Sequence, residues 1–147
     1  LDCPVVQINT QGGCHLDAAL VSQALDQVDL AAADLLLIEN VGNLLCPSQY
    51  DLGEHLTVVV LSVTEGADKP EKYPAAFQRA RAVIINKVDA LALTDVDLGE
   101  VSAAIRRFNP QAAVFPLSAR TGEGVDAWLR WLEGRVTAAR ECAGSSS

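Results

Sequence analysis

Two short strings could do chemistry together: Asn86-Lys87-Val88-Asp89 and, about one strand and one helix later, Ser118-Ala119-Arg120. Each follows an apolar run, Ala82 to Ile85 and Ala113 to Leu117. If both runs are strands of one parallel sheet, the two strings sit at strand C-termini, the edge where open sheets form their ligand crevices. A carboxylate at Asp89 can accept from two adjacent N–H groups, a pattern that a guanine edge presents and adenine does not. Lys87 can lay its aliphatic stem over a purine face. Asn86 can tie the two loops together, and the backbone N–H of Ala119 can meet the guanine oxygen. Asp89 also suits a plainer role, capping the start of a helix.

Thiols and an imidazole make a second set. Cys14 and His15 follow the apolar run Val5 to Asn9, and Cys46 follows Leu35 to Glu39. In an α/β sheet these loops would reach the same edge as the first two strings. Such ligands suit nickel or zinc, and two protomers sharing the loops could assemble a site of four or five ligands in a homodimer. Taken alone, a Cys-His pair reads equally well as a structural cysteine beside a surface histidine. Cys3 and Cys142 match no metal motif, His55 is excluded by position, and four cysteines without a CxxC pair are too few for a disulfide scaffold.

The elements that must position these residues alternate. Candidate strands are Val5–Asn9, Leu35–Glu39, Thr57–Val63, Ala82–Asn86 and Ala113–Leu117. Leu16, Leu20, Val21, Ala24, Leu25 and Val28 recur at helical spacing, and residues 95–108 read as a helix stopped by Asn109-Pro110. A last helix aligns Val125, Trp128, Leu129, Leu132 and Val136, so that Trp128 and Trp131 read as packing residues rather than a ligand platform. Residues 143–147 are small and polar and read as a disordered tail after a folded portion, 1–142. With 147 residues, half of them hydrophobic, the chain can bury a core. Its 19 acidic against 11 basic residues give a net charge of -8, which disfavours nucleic acid. No apolar run approaches the ~20 residues that span a bilayer. A soluble, cytoplasmic protein is expected, with no membrane partner.

Further strings narrow the reading: Gly13-Cys14-His15-Leu16-Asp17-Ala18, Ile38-Glu39-Asn40-Val41-Gly42-Asn43-Leu44 with Cys46-Pro47, Ser62-Val63-Thr64-Glu65-Gly66 and Asp68-Lys69-Pro70. With the two strand-end strings, which look like the fourth and fifth GTPase motifs, they resemble the HypB family of hydrogenase nickel-insertion GTPases over Val5 to Leu132. Urease nickel chaperones are more distant cousins. The resemblance implies a SIMIBI-type P-loop GTPase fold, with about five mainly parallel strands and helices on both faces. It implies GTP or GDP with Mg2+, and Ni2+ or Zn2+, as ligands. It also implies a HypA-type nickel chaperone and a hydrogenase large-subunit precursor as partners. By the same resemblance, Glu39 and Gly42 form the segment that senses the γ-phosphate and magnesium. Glu39 would act on magnesium or its water, or orient the attacking water, and Gly42 would let the backbone approach a phosphate. A strand-end carboxylate in solvent is the plainer reading of Glu39.

The chain also departs from the family. No Gly-x-x-x-x-Gly-Lys-Ser/Thr string occurs in it, and the family places that loop before the position of Leu1. The expectation is a domain cut before its first strand and phosphate loop, inactive by itself, and a metal-binding or dimerisation module is the alternative. Thr10 is followed by Gln11, where the family has glycine, and only then by Gly12-Gly13.

Overall fold

The computed structural model describes residues 3–144, and the chain divides into two compact units that part between His55 and Leu56. In the second unit, β1 (Val58–Ser62), β2 (Ala82–Asn86) and β3 (Ala113–Pro116) form a parallel sheet in the order β1-β2-β3. The register is level: Leu61 pairs with Ile85, and Ile85 with Pro116. Pleating sends Val59, Leu61, Val83 and Ile85 to a buried face. Val60, Ile84 and Phe115 share the other. There the long helix α5 (Val125–Gly144; α1 to α4 are given below) brings the rings of Trp128 and Trp131 to 5.6 Å from that of Phe115. The two indoles stack at 5.3 Å, and the Arg135 guanidinium lies 5.1 Å from the Trp131 ring. Both tryptophans therefore pack, as their spacing implies.

Three helices lie between the strands: α2 (Lys69–Lys72), α3 (Pro74–Arg79) and α4 (Leu98–Phe108). Asp97 starts α4 by accepting from the N–H groups of Gly99 (2.6 Å) and Glu100 (3.1 Å), which would otherwise lack partners. Phe77, Val101 and Ile105 of α3 and α4 are buried. Asn109 ends α4 and does more: its Nδ2 donates to the carbonyls of Phe77 (3.0 Å), Gln78 (3.2 Å) and Ala80 (2.7 Å) at the end of α3.

In the first unit, α1 (Ala18–Leu25) starts at Asp17, whose carboxylate accepts from the Leu20 N–H at 2.8 Å. Val21 and the preceding Leu16 are buried, and the other residues of the expected stripe are half-buried. The apolar spacing is correct, although the helix stops at Leu25, earlier than the stripe.

The sheet has three strands among the described residues where five were expected. Val5–Asn9 and Leu35–Glu39 join no ladder. An apolar run becomes a strand only when a neighbour takes up its backbone N–H and C=O groups, and no described segment does so here. Val6 and Ile8 are half-buried between exposed neighbours, so the period of two survives without pairing. Val5 and Leu37 stand 85% and 77% exposed. At the other end, α5 continues through Gly144, and the remainder of the expected tail, 145–147, lies outside the described residues. No described helix is long and apolar enough to cross a membrane.

Asn109→Ala removes the donor that closes α3 and leaves those carbonyls without it. We expect a loss of about 1–3 kcal/mol in urea unfolding; an unchanged midpoint would show that water replaces the amide without cost.

Candidate functional site

The β2–β3 ladder continues past the strand ends. Leu117 donates its N–H to the Ile85 carbonyl (2.9 Å) and accepts from the Val88 N–H (3.2 Å). The two strings are thereby held side by side. Lys87 turns the chain in the left-handed region, φ 64° and ψ 36°, leaving its side chain exposed. The Asn86 Oδ1 accepts from the N–H groups of Lys87 (2.7 Å) and Ala119 (3.0 Å), so this amide does join the loops. The Ala119 N–H, expected to face a base oxygen, is given to Asn86.

Asp89 is held from the second loop. Its Oδ1 accepts from the Ser118 hydroxyl at 2.5 Å, and its Oδ2 lies 2.9 Å from Nε and 2.7 Å from Nη2 of Arg120. Ser118 is fully buried, and its Oγ also accepts from the Thr121 N–H at 3.1 Å. The Ser118 hydrogen bond, then the Arg120 guanidinium, hold the Asp89 carboxyl below its ordinary range, against a desolvation that pushes it up. The loop closes at Gly124, with φ 74°, where a Cβ would come within 2.4 Å of the Pro116 carbonyl oxygen. No sequence string pointed to Gly124. The Thr-Gly-Glu-Gly run at 121–124 was the available signal, since two glycines one residue apart mark a tight return.

The thiol loops belong to the first unit. Because Val5–Asn9 and Leu35–Glu39 are not strands, no sheet edge carries Cys14, His15 and Cys46. Side chains bring them together instead. The carboxamide of Asn43 donates to the Cys14 carbonyl (2.7 Å) and accepts from the Cys46 N–H (2.9 Å). The neighbouring Cys14 thiol, helped by desolvation, raises the Cys46 thiol above its ordinary pKa. The Cys14 Sγ lies 3.6 Å from Nδ1 of His15, whose ring stacks on Tyr50 at 3.7 Å and 10°. Among the described residues, no three His, Cys, Asp or Glu side chains form a group that could hold a metal ion. What these loops present is two thiols with an imidazole beside one of them. None of the four cysteines is joined in a disulfide, and Cys3 and Cys142 are exposed.

Thr10 accepts at its carbonyl from the Gly13 N–H (2.9 Å), closing a turn that puts Gln11 at φ 52° and Gly12 at φ 87°. The departure at Gln11 is therefore absorbed by a left-handed backbone that a glycine would adopt without strain. Glu39 and Gly42 are exposed. A Cβ added at Gly42 would meet nothing within 4 Å, and its φ is not positive, so nothing in the fold requires glycine there.

A family model described as CobW/HypB/UreG, nucleotide-binding domain, matches residues 2–116. Hydrogenase maturation factor HypB of Azotobacter vinelandii is 52% identical over 130 residues, which cover 88% of this chain and 43% of that protein. The chain thus spans less than half the length of that relative. The crystal structure of hydrogenase maturation factor HypB from Archaeoglobus fulgidus is similar at a TM-score of 0.81 and 41% identity, over 86% of this chain and 67% of that one. The structure of HypB from Helicobacter pylori in complex with nickel gives a TM-score of 0.87 and 36% identity, over 91% and 64%.

The lowered pKa of Asp89 has a direction in pH. Its folded value lies below the ordinary 3.8, so its stabilising contribution is complete above that pH and fades as pH falls through the lower folded value. Carbon-detected NMR should find the Asp89 carboxyl titrating below 3.8, and Ser118→Ala should move the midpoint upward. A midpoint indifferent to Ser118 would remove the hydroxyl as the main cause.

Proposed function

The chain belongs to the CobW/HypB/UreG nucleotide-binding domain family, and from that premise we propose that it is the base-reading and metal-holding portion of a nickel-delivery GTPase of hydrogenase maturation. The observation that carries the reading is Asp89, ionised and fixed by Ser118 and Arg120 in a loop that Asn86 ties to its neighbour. A carboxylate has about four lone-pair directions. The Ser118 hydroxyl and the two Arg120 nitrogens occupy three of these, so accepting the two adjacent N–H groups of guanine requires the exposed Arg120 to move off Oδ2. Lys87 covers the purine face with its stem, and the Ala119 backbone borders the base with its N–H already satisfied.

Gly42 supports the phosphate side of the reading. It is exposed, with nothing within 4 Å of a built Cβ, and the family likeness places it on the phosphate side, where a glycine lets the backbone approach closely. Glu39, exposed beside it, serves magnesium, its bound water or the attacking water. Magnesium, when bound with the triphosphate, supplies neutralisation of the charge developing on the transferred phosphoryl group.

Nickel is cargo in this scheme, with zinc as a competitor for the same donors. Thiols paired across two loops, with an imidazole beside them, match the ligand preferences of these borderline ions. A second protomer of a homodimer would complete the ligand set. The cargo then passes between a HypA-type nickel chaperone and a hydrogenase large-subunit precursor in the cytoplasm.

Two tests separate the halves of this reading. Nickel titrated into the chain should bind tightly through Cys14, His15 and Cys46. Cys14→Ala or Cys46→Ala should abolish tight stoichiometric binding while Cys142→Ala changes little; full affinity in both loop variants would sink the assignment. For the nucleotide, no phosphate-loop string occurs in these 147 residues. Base recognition supplies roughly two charge-assisted bonds at ~1.5–3 kcal/mol each, and about 4 kcal/mol of net binding corresponds to roughly millimolar affinity. Calorimetry should therefore find weak GTP binding and no appreciable phosphate release. Micromolar affinity, or turnover like that of an intact GTPase, would contradict this. In a version with the phosphate loop supplied, Asp89→Asn should shift preference from GTP toward xanthosine triphosphate, and an unchanged preference would mean that Asp89 does not read the base.

A further inference from the structure

We infer that Asn43 is the positioning residue that sets the spacing of the Cys14 and Cys46 thiols before any metal arrives. Its meaning for cargo rests on the reading of those thiols as metal ligands. One carboxamide grips both cysteine segments by their backbones. Nδ2 donates to the Cys14 carbonyl at 2.7 Å, across 29 residues of chain, while Oδ1 accepts from the N–H groups of Leu45 (3.1 Å) and Cys46 (2.9 Å). Only a group with donor and acceptor on one planar head makes all three bonds. An aspartate loses the donor, and a glutamine shifts the head by one methylene.

The surrounding contacts make the clip effective. Three residues earlier, the Asn40 Oδ1 accepts from the Leu16 N–H at 2.9 Å. Leu16 is buried and Asp17 caps α1, so the backbone just after Cys14 and His15 is anchored. Beyond Cys46, the 3-10 turn Pro47–Gln49 delivers Tyr50 to the His15 ring. The two segments are thus joined ahead of the thiols by Asn40, at the thiols by Asn43 and behind them by Tyr50. Asn43 is the member whose hydrogen bonds reach both cysteine residues. Without it, the thiols would each have to find the other or the cation from a wider range of positions, and the ordering would be charged against binding.

The test uses the full 147-residue chain with Cys3→Ser and Cys142→Ser, so that Cys14 and Cys46 are the thiols that remain. Oxidised glutathione is the metal-free probe: the two thiols form a disulfide, one oxidised glutathione becomes two glutathione molecules, and the rate of intramolecular closure reports thiol spacing. Ni2+ alone, followed by its thiolate charge-transfer absorption, is the second probe. Asn43→Ala should slow closure about tenfold or more and weaken nickel binding about 10–100-fold, as loss of an outer-shell partner does, with the far-UV spectrum retained. Asn43→Asp, which keeps the acceptor but loses the donor, should fall between. Closure and nickel affinity equal to the parent in Asn43→Ala would overturn the inference. If Asn43→Ala does not fold, Asn43→Asp decides by the same criterion. Slowed closure in a chain whose parent binds no nickel would keep the clip and remove the metal reading.

Discussion

The candidate nucleotide site depends on the backbone of one residue beyond the end of β3. Leu117 donates to Ile85 and accepts from Val88, extending a parallel ladder for one step after both strands have ended. Parallel pairs have evenly spaced bonds, so strands in level register deliver their following residues at the same height. That is why Asn86 can reach the Ala119 N–H, and why Asp89 lies within a hydrogen bond of Ser118. Shifting β3 by one residue would exchange its faces, turning the Phe115 side chain away from Trp128 and Trp131 and separating the loops. The aromatic cluster on α5 and the chemistry at the strand ends are consequences of one register.

Much of this could be read from residue order. β2 occupies the residues that its apolar run and the Asn-Lys string imply, and α4 ends where Asn109-Pro110 stops it. Local chemistry decides such features: a β-branched run, a capping aspartate, a proline. The bridging role of Asn86 followed from type and position together. Val5–Asn9 and Leu35–Glu39 were misjudged because pairing is not a local property. Their composition suits strands, yet a strand is defined by its neighbour, and the sequence does not say whether one stands beside it. Asn40, Asn43 and Asn109 were illegible for a related reason. Each bonds to residues at least 24 positions away, and an asparagine in a loop looks the same whether it closes a turn or clamps another segment. Gly124 escaped notice because its constraint, the Pro116 carbonyl, becomes visible only when the loop is closed.

The two candidate sites are built from different materials. At the strand ends, a charged group is held by a buried hydroxyl and a guanidinium on a continuous ladder. Around the thiols no described segment pairs into a sheet, and neutral amide hydrogen bonds hold the loops. Each such bond contributes only about 0.5–1.5 kcal/mol, and those made by Asn43 are solvent-exposed or partly so. The thiol arrangement is correspondingly easier to rearrange than the loop that holds Asp89.

At the strand ends, the two partners of Asp89 are unequal. The Arg120 side chain is 79% exposed, and an ion pair with so exposed a partner contributes little, about 0–1 kcal/mol, because solvent and salt screen it. Ser118 is fully buried, and its hydroxyl would be left without an acceptor if Asp89 withdrew, a cost of about 1–3 kcal/mol. The Ser118 bond is therefore the one that fixes the carboxylate. Arg120 can swing into solvent at small cost, uncovering the Oδ2 edge that it now occupies. The carboxylate is thus oriented through Oδ1, while its second oxygen is covered by a group that yields readily.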